Sequence, residues 1–338
     1  LALPRSGRAA TTLGAAAAKA GVTFGSAFDR DALADPGYGD LLRAQARVLP
    51  TDWSMKFGAL RATGPEADFT WAERLVGFGA AARIPVRGHT LVWNENLPAW
   101  LKALSRERRA YWLDRHVTET MEHFAGRMHS WDVVNEPFWP DHGNRGGFRG
   151  GAWWDALGPA YVPAAFRAAS RADPAAKLVL NEAFTESGDR LGLAVRAGLL
   201  RLVDDLLDAG LRLDAVGLQG HITRGRPFDR DGWRRFLADL ASRGVEIWIT
   251  ELDVDDAAFS GTVAERDARV AETYRAVLDT ALDEPKVSTV ITWELADGFS
   301  HYRDQRGAEV RPLPFDRALK PKPAFDAMVA AFEARRRR

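Results

Sequence analysis

The sequence predicts an α/β chain folded as a single-domain (β/α)8, or TIM, barrel. Short apolar, β-branched runs alternate eight times with longer stretches of helical period. No Gly/Ser-rich linker interrupts that alternation. No Gly-rich dinucleotide fingerprint supports the runner-up, a doubly wound open sheet. At 338 residues the chain exceeds a typical domain, but single α/β barrels often reach this length.

Residues 1–20 hold an Ala-rich stretch, the remnant of a secretory leader or a first helix; a helix leading into the barrel is the preferred reading. Strands are expected near 22–28, 47–51, 84–92, 131–135, 177–181, 215–219, 245–250 and 287–293. Helices are expected over 71–82, 106–125, 162–172, 191–209, 230–242 and 262–282. In the last of these, Val263, Val270, Tyr274, Val277, Leu278 and Leu282 recur at helical spacing and mark one apolar face. Residues 335–338 form a basic run that reads as a solvated helix end. The segment 138–151, rich in Gly, Trp and Phe, reads as a long βα loop. It lacks the Gly-Lys-Ser/Thr ending of a phosphate cradle, so a mobile wall of a cleft is expected there.

Composition removes several function classes. Lys and Arg total 46, and Asp and Glu total 46, so the basic surplus of a nucleic-acid binder is missing. The chain has no cysteine, which excludes disulfides, thiolate catalysis and Cys-based zinc sites. No apolar run reaches the roughly 20 residues needed to span a bilayer. No histidine pair has the His-x3-His spacing of a helical metal site, so no metal or other cofactor is expected.

A barrel gathers its chemistry at the C-terminal ends of its strands. The polar residues expected there are Asp52, Lys56, His89, Asn135, Glu136, Glu182, Gln219, His221, Glu251 and Glu294. Glu136 and Glu251 stand out, because each closes a short apolar strand. Cleavage of a glycosidic bond needs two such carboxyl groups, about 5–5.5 Å apart in a retaining enzyme. Glu251, hydrogen-bonded by His221, suits the ionised nucleophile, with Asp253 orienting His221. Glu136 suits the proton donor, its acid form favoured by the neighbouring negative charge. Asn135 is placed to donate to a sugar hydroxyl. Among the tryptophans, Trp131 and Trp248 read as core, while Trp93 and Trp293 read as stacking platforms for sugar rings.

At these residues the chain resembles glycoside hydrolase family 10, the β-1,4-xylanase family with a (β/α)8 barrel. The resemblance runs from Phe24-Gly25 to Pro321-Lys322-Pro323-Ala324-Phe325. It is strongest in Arg87-Gly88-His89-Thr90-Leu91-Val92-Trp93 and in 131–136, 217–221 and 249–254. It implies Glu136 as acid/base and Glu251 as nucleophile. It also implies Lys56, His89, Trp93, Asn135, Gln219 and Trp293 as residues holding the sugar on the non-reducing side, and His221 and Asp253 as the network tuning the nucleophile.

The departures from the family fall on the sugar-binding side. The usual Glu-Asn before Met-Lys-Trp is Asp52-Trp53-Ser54-Met55-Lys56-Phe57 here, and the usual His and Gln after the Trp93 motif are Asn94 and Asn96. Asn-Asp-Tyr-Asn becomes Asn181-Glu182-Ala183-Phe184, Trp-Gly becomes Trp293-Glu294, and a second Trp becomes His301. Asp52, Trp53, Asn96, Phe184, Glu294 and His301 are therefore expected among the substrate contacts, with fewer polar partners and more aromatic bulk at the second sugar position.

The leading expectation is a secreted or periplasmic, monomeric, retaining endo-β-1,4-xylanase acting on a polysaccharide or oligosaccharide. Neither a nucleic acid nor a membrane is expected as partner. Two alternatives remain open: a retaining β-glycosidase with another glycone, or a carbohydrate-binding barrel that has lost catalysis.

Overall fold

The computed structural model of the chain describes residues 11–303 and 310–336. Its barrel strands are β1 Thr23–Ser26, β2 Leu49–Pro50, β3 Val86–Gly88, β4 Met128–Asn135, β5 Lys177–Glu182, β6 Ala215–Leu218, β7 Glu246–Val254 and β8 Val287–Thr292. Around them lie α1 Leu13–Lys19, α2 Pro36–Gln45, α3 Thr70–Ala82, α4 Arg106–His123, α5 Tyr161–Ala172, α6 Arg190–Asp208, α7 Arg230–Ala241, α8 Val263–Ala281 and α9 Pro323–Arg336. The strands pair in parallel in the order β1-β8-β7-β6-β5-β4-β3-β2. The remaining seam, between β1 and β2, is stitched by Arg47 N to Phe24 O at 2.8 Å and Phe28 N to Pro50 O at 3.0 Å. All eight expected strands form, and helices separate them.

Local chemistry starts the helices where they start. Ser105 caps α4, Asp189 caps α6, and Thr262 with Glu265 forms a reciprocal capping box on α8. On α8 the residues Val270, Tyr274, Val277 and Leu278 are buried, while Val263, its first residue, stays exposed. Arg335 does not lie free in a basic tail. It donates to Val287 O at 2.6 Å and Pro285 O at 3.1 Å. Residues 1–10, 337 and 338 lie outside the described residues.

Two irregularities in the sheet aim the site. On β4, Asp132 pairs with Val179 and Asn135 with Asn181, so three residues on one strand match two on the other. On β7, Ile249 pairs with Val290 and Leu252 with Thr292, with the same excess of one. Each is a β-bulge, which resets the alternation of side chains. The first lets Asp132 and Asn135, an odd number apart, both project into the barrel. The second falls at the end of the strand that carries Glu251.

The barrel floor is apolar: Trp248 packs with Val179 and Ala215 in a cluster separate from the main core. Above it sits a buried polar layer. Arg87 lies 5.5 Å over the Trp248 ring and forms an ion pair with Asp132, and both side chains are inaccessible to solvent. Gly88 is required beside them, because an added Cβ would stand 2.0 Å from the Trp131 ring. We expect Asp132→Ala to destabilise the fold by about 3–5 kcal/mol, since it strands a buried guanidinium. Urea titration checks this; a loss under about 1 kcal/mol contradicts it.

Candidate active site

The barrel mouth encloses a cavity of about 410 Å³. Asp52, Lys56, His89, Trp93, Asn135, Glu136, Phe184, Gln219, His221, Glu251, Trp293 and His301 line it, so most of the expected site residues converge. Ala183, Thr223 and Tyr302 also line it.

Glu251 is 4% exposed and receives two donors. Asn181 Nδ2 reaches Oε1 at 2.7 Å and His221 Nε2 reaches Oε2 at 3.2 Å. Burial alone pushes its carboxyl up; the His221 hydrogen bond, the charges of His89 and His221 and the Asn181 amide overcome this and hold it at about 2. His221 is held in turn. Burial pushes its imidazole down, but Asp253, 3.0 Å from Nδ1, and Glu251 carry it well above its ordinary value. This is an imidazolium between two carboxylates.

Glu136 directly follows β4 with a left-handed backbone, φ 49°. Gln219 Nε2 and Asn135 Nδ2 donate to Oε1 at 2.9 and 3.3 Å. Arg149 Nη2 donates to Oε2 at 2.8 Å, and Arg149 Nε donates to the Glu136 carbonyl at 3.0 Å. Asn181 joins the two glutamates: its Nδ2 donates to Asn135 Oδ1 at 2.8 Å as well as to Glu251, and Thr250 Oγ1 donates to its Oδ1 at 2.6 Å. His89 is fixed from below. Its Nδ1 donates to Asp132 Oδ2 at 2.8 Å, which leaves Nε2 for the cavity.

Aromatic rings lie beside the remaining lining residues. Lys56 Nζ lies 5.1 Å from the Trp93 ring and 5.5 Å from the Trp53 ring. The Trp293 and His89 rings meet edge to face at 5.1 Å.

Three expected contacts lie elsewhere. Trp53 is 42% exposed and is not part of the cavity lining. Asn96 is exposed with φ 52°. Its neighbour Asn94 caps the short helix Ala152–Leu157, accepting from Trp153 N at 3.0 Å. Glu294 is buried behind the wall and accepts from Tyr38 Oη at 2.6 Å. Burial, then the charge of Asp52, pushes its carboxyl well up. Glu182 likewise turns inward, accepting from Phe138 N at 3.0 Å and Ala183 N at 2.8 Å.

Sequence reasoning missed Arg149, Asn181 and Asp132. The segment 138–151 does not line the cavity; it is knit into a hairpin by Trp139 N to Gly147 O at 2.9 Å and Arg149 N to Pro137 O at 2.7 Å. Its contribution is to deliver Arg149, stacked 4.9 Å over Trp139, to Glu136. One of two arginines in a glycine-rich segment, it gave no signal of this. Asn181 and Asp132 did sit in singled-out motifs; the even spacing of Asn181 from Val179 was an available clue, whereas Asp132, an odd number from Asn135, offered none.

The comparison with known proteins now decides the family. The model of Glycosyl hydrolase family 10 matches residues 12–331. The chain belongs to that family. Its members are retaining glycosidases, and the chain is a glycoside hydrolase. Endo-1,4-beta-xylanase C of Paenibacillus barcinonensis is 33% identical over 90% of this chain; the match spans only 30% of that longer protein. Endo-1,4-beta-xylanase B of Thermotoga neapolitana is 30% identical over 86% of this chain and 82% of its own length. Among solved structures, native xylanase 10B from Thermotoga maritima superposes with a TM-score of 0.88 at 29% identity, covering 97% of this chain and 99% of that one. Among the described residues of this family 10 chain, no helix is long and apolar enough to cross a membrane.

Proposed function

We propose that this enzyme is a retaining endo-β-1,4-xylanase with Glu251 as nucleophile and Glu136 as acid/base. The observation that carries the reading is the asymmetry of the two carboxyl groups in one cavity. Glu251, though buried, is held ionised at about 2 by His221 and Asn181. Glu136, on a different strand, faces the same space.

The Glu251 carboxylate attacks the anomeric carbon as Glu136 gives its proton to the departing oxygen. The C–O bond breaks and a glycosyl ester forms. Glu136, now a carboxylate, takes a proton from water, which attacks the same carbon and frees Glu251. The imidazolium of His221 steadies the charge returned to Glu251 at that step. Lys56, His89, Gln219 and Asn135 supply donors to sugar hydroxyls, and Trp93 and Trp293 supply apolar faces. The enzyme acts outside the cytoplasm, because a polymeric glycan does not cross a membrane.

A second reading, another β-linked glycone, is favoured by one observation. The glycone-side polar residues Asn94, Asn96 and Glu294 all turn away from the cavity. A site built for hydroxyls that loses such contacts shifts its discrimination by orders of magnitude. A product profile on β-glycans and aryl β-glycosides separates the two. Short xylo-oligomers of retained anomeric configuration are expected from xylan. Turnover of aryl glycosides of other sugars, with xylan untouched, selects the second reading.

A further inference from the structure

Arg149 meets Glu136 from behind the cavity wall, with its side chain only 4% exposed. Two carboxylates share its guanidinium. Nη2 donates to Glu136 Oε2 at 2.8 Å and Nε to the Glu136 carbonyl at 3.0 Å, while Nη1 pairs with Glu95. The Trp139 ring packs 4.9 Å from the guanidinium and helps to fix it. The Glu95 side chain is 50% exposed and lies outside the cavity lining. On Glu136 itself, Gln219 and Asn135 donate to Oε1 and Arg149 donates to Oε2. Donors on both oxygens are the surroundings of a carboxylate. They suit the base of the second step, whereas the first step needs a proton on the same carboxyl.

We propose that Arg149 is a positioning residue that favours Glu136 as a base, and that Glu95 is the standing counter-ion that lets Glu136 take its proton back. A buried guanidinium left without a carboxylate is heavily penalised. With Glu136 as its sole partner, Arg149 would therefore resist protonation of Glu136. Glu95 relieves that resistance, because it keeps its charge beside Nη1 while Glu136 gains and loses a proton. The other titratable groups around Glu136 are Glu182 on β5, Glu251 on β7 and, across the cavity, Asp52, Lys56, His89 and His221. Among the described residues, Arg149 is the one cation hydrogen-bonded to the Glu136 carboxyl.

The two steps then draw on the pair in turn. In the first, the Glu136 proton goes to the departing oxygen as the C–O bond breaks, and Nη2 meets the new carboxylate. In the second, water adds to the anomeric carbon and its proton passes to Glu136, after which Glu95 alone balances the Arg149 charge. Arg149 does not line the cavity and acts only through Glu136. The proposal rests on the acid/base assignment of Glu136 above.

The test uses phenyl and dinitrophenyl β-glycosides of the sugar that the product profile selects, with far-UV circular dichroism confirming each variant's fold. The phenyl leaving group needs a proton, so its kcat/KM reads the first step. The dinitrophenyl group departs unaided, so its kcat reads the second. Glu95→Gln should lower kcat/KM for the phenyl glycoside about tenfold and leave kcat for the dinitrophenyl glycoside unchanged. Arg149→Met should do the reverse: kcat for the dinitrophenyl glycoside falls about tenfold, while kcat/KM for the phenyl glycoside holds or rises. Azide, which needs no base, should restore that kcat, and Arg149→Lys, which keeps the charge, should recover part of it. Glu95→Gln added to Arg149→Met should be silent on the phenyl glycoside, because its effect passes through the guanidinium. Equal losses on both substrates in Arg149→Met, with no azide rescue, would reduce Arg149 to scaffold and overturn the proposal. So would a Glu95→Gln enzyme with parental kcat/KM on the phenyl glycoside. Glu136→Ala run alongside separates the two failures: if it splits the leaving groups while these variants do not, the acid/base assignment stands and the present proposal alone falls.

Discussion

Glu251→Ala is expected to reduce kcat by on the order of 10⁵-fold with the fold intact, the scale of losing a covalent nucleophile. Added azide should then restore turnover and give a glycosyl azide of inverted configuration, because a small anion fits the space the carboxylate left. The expectation rests on position: the Glu251 oxygens are the ones that Asn181 and His221 hold toward the cavity. Absence of azide rescue in a folded variant removes Glu251 from that role. The same residue has a second, independent signature in stability. Its carboxyl falls from 4.5 to about 2 on folding, which corresponds to about 3 kcal/mol at neutral pH. The folded value is the lower one, so this stabilisation is present above 4.5 and is lost as pH falls toward about 2. Glu251→Gln lacks that proton linkage. Its urea midpoint should therefore fall less steeply than the parent's between pH 5 and pH 2.5. Parallel slopes would show that the folded enzyme does not depress Glu251.

Much of this site was legible because a barrel converts linear order into convergence. Once the runs that carry Asn135, Gln219 and Glu251 to their C-terminal ends are read as parallel strands, those residues must meet at one mouth. Periodicity is silent on what breaks it. The bulges in β4 and β7 add one residue each, and they put Asp132 on the same side as Asn135 and set the approach to Glu251. A pattern of alternation assigns one of those residues to the wrong face. The sequence also says nothing of rotation after the strand ends. Glu294 and Asn96 both lie at positions next to sugar-binding motifs, yet positive φ angles of 71° and 52° lead them away from the cavity. Arg149 is the converse case, brought to Glu136 by a loop whose course depends on Trp139, Phe148 and five glycines rather than on any helical or strand period. The pairing of His221 with Asp253 was legible from their motifs, whereas the approach of His301 to Asp253, 3.6 Å between Nδ1 and Oδ2, was not, because His301 follows the last strand and shares no local spacing with them.

Glu136→Ala should split substrates by their need for a proton. General acid catalysis contributes on the order of 10²–10⁴ in rate. A glycan or aryl glycoside with a poor leaving group should lose about 10³-fold in kcat/KM, because the departing oxygen leaves as an alkoxide or phenoxide. A dinitrophenyl glycoside needs no proton, so its kcat/KM should change by less than about tenfold. Its kcat should still drop, since the second step has lost its base. Azide, which needs no base, should raise that kcat and yield a product of retained configuration. An equal loss across leaving groups would contradict the acid assignment. Such a loss has a ready structural meaning. Glu136 anchors Arg149 through Oε2 and Gln219 through Oε1, so its removal alone disturbs both the cavity lining at Gln219 and the loop behind it that carries Arg149. Glu182 would not inherit the proton-donor role in that case. Burial, followed by the charge of Glu136, pushes its carboxyl well up, but its two oxygens are already taken by Phe138 N and Ala183 N and it does not line the cavity. The leaving-group series therefore decides between two roles for one side chain, donor of a proton or anchor of the arginine and glutamine that flank it.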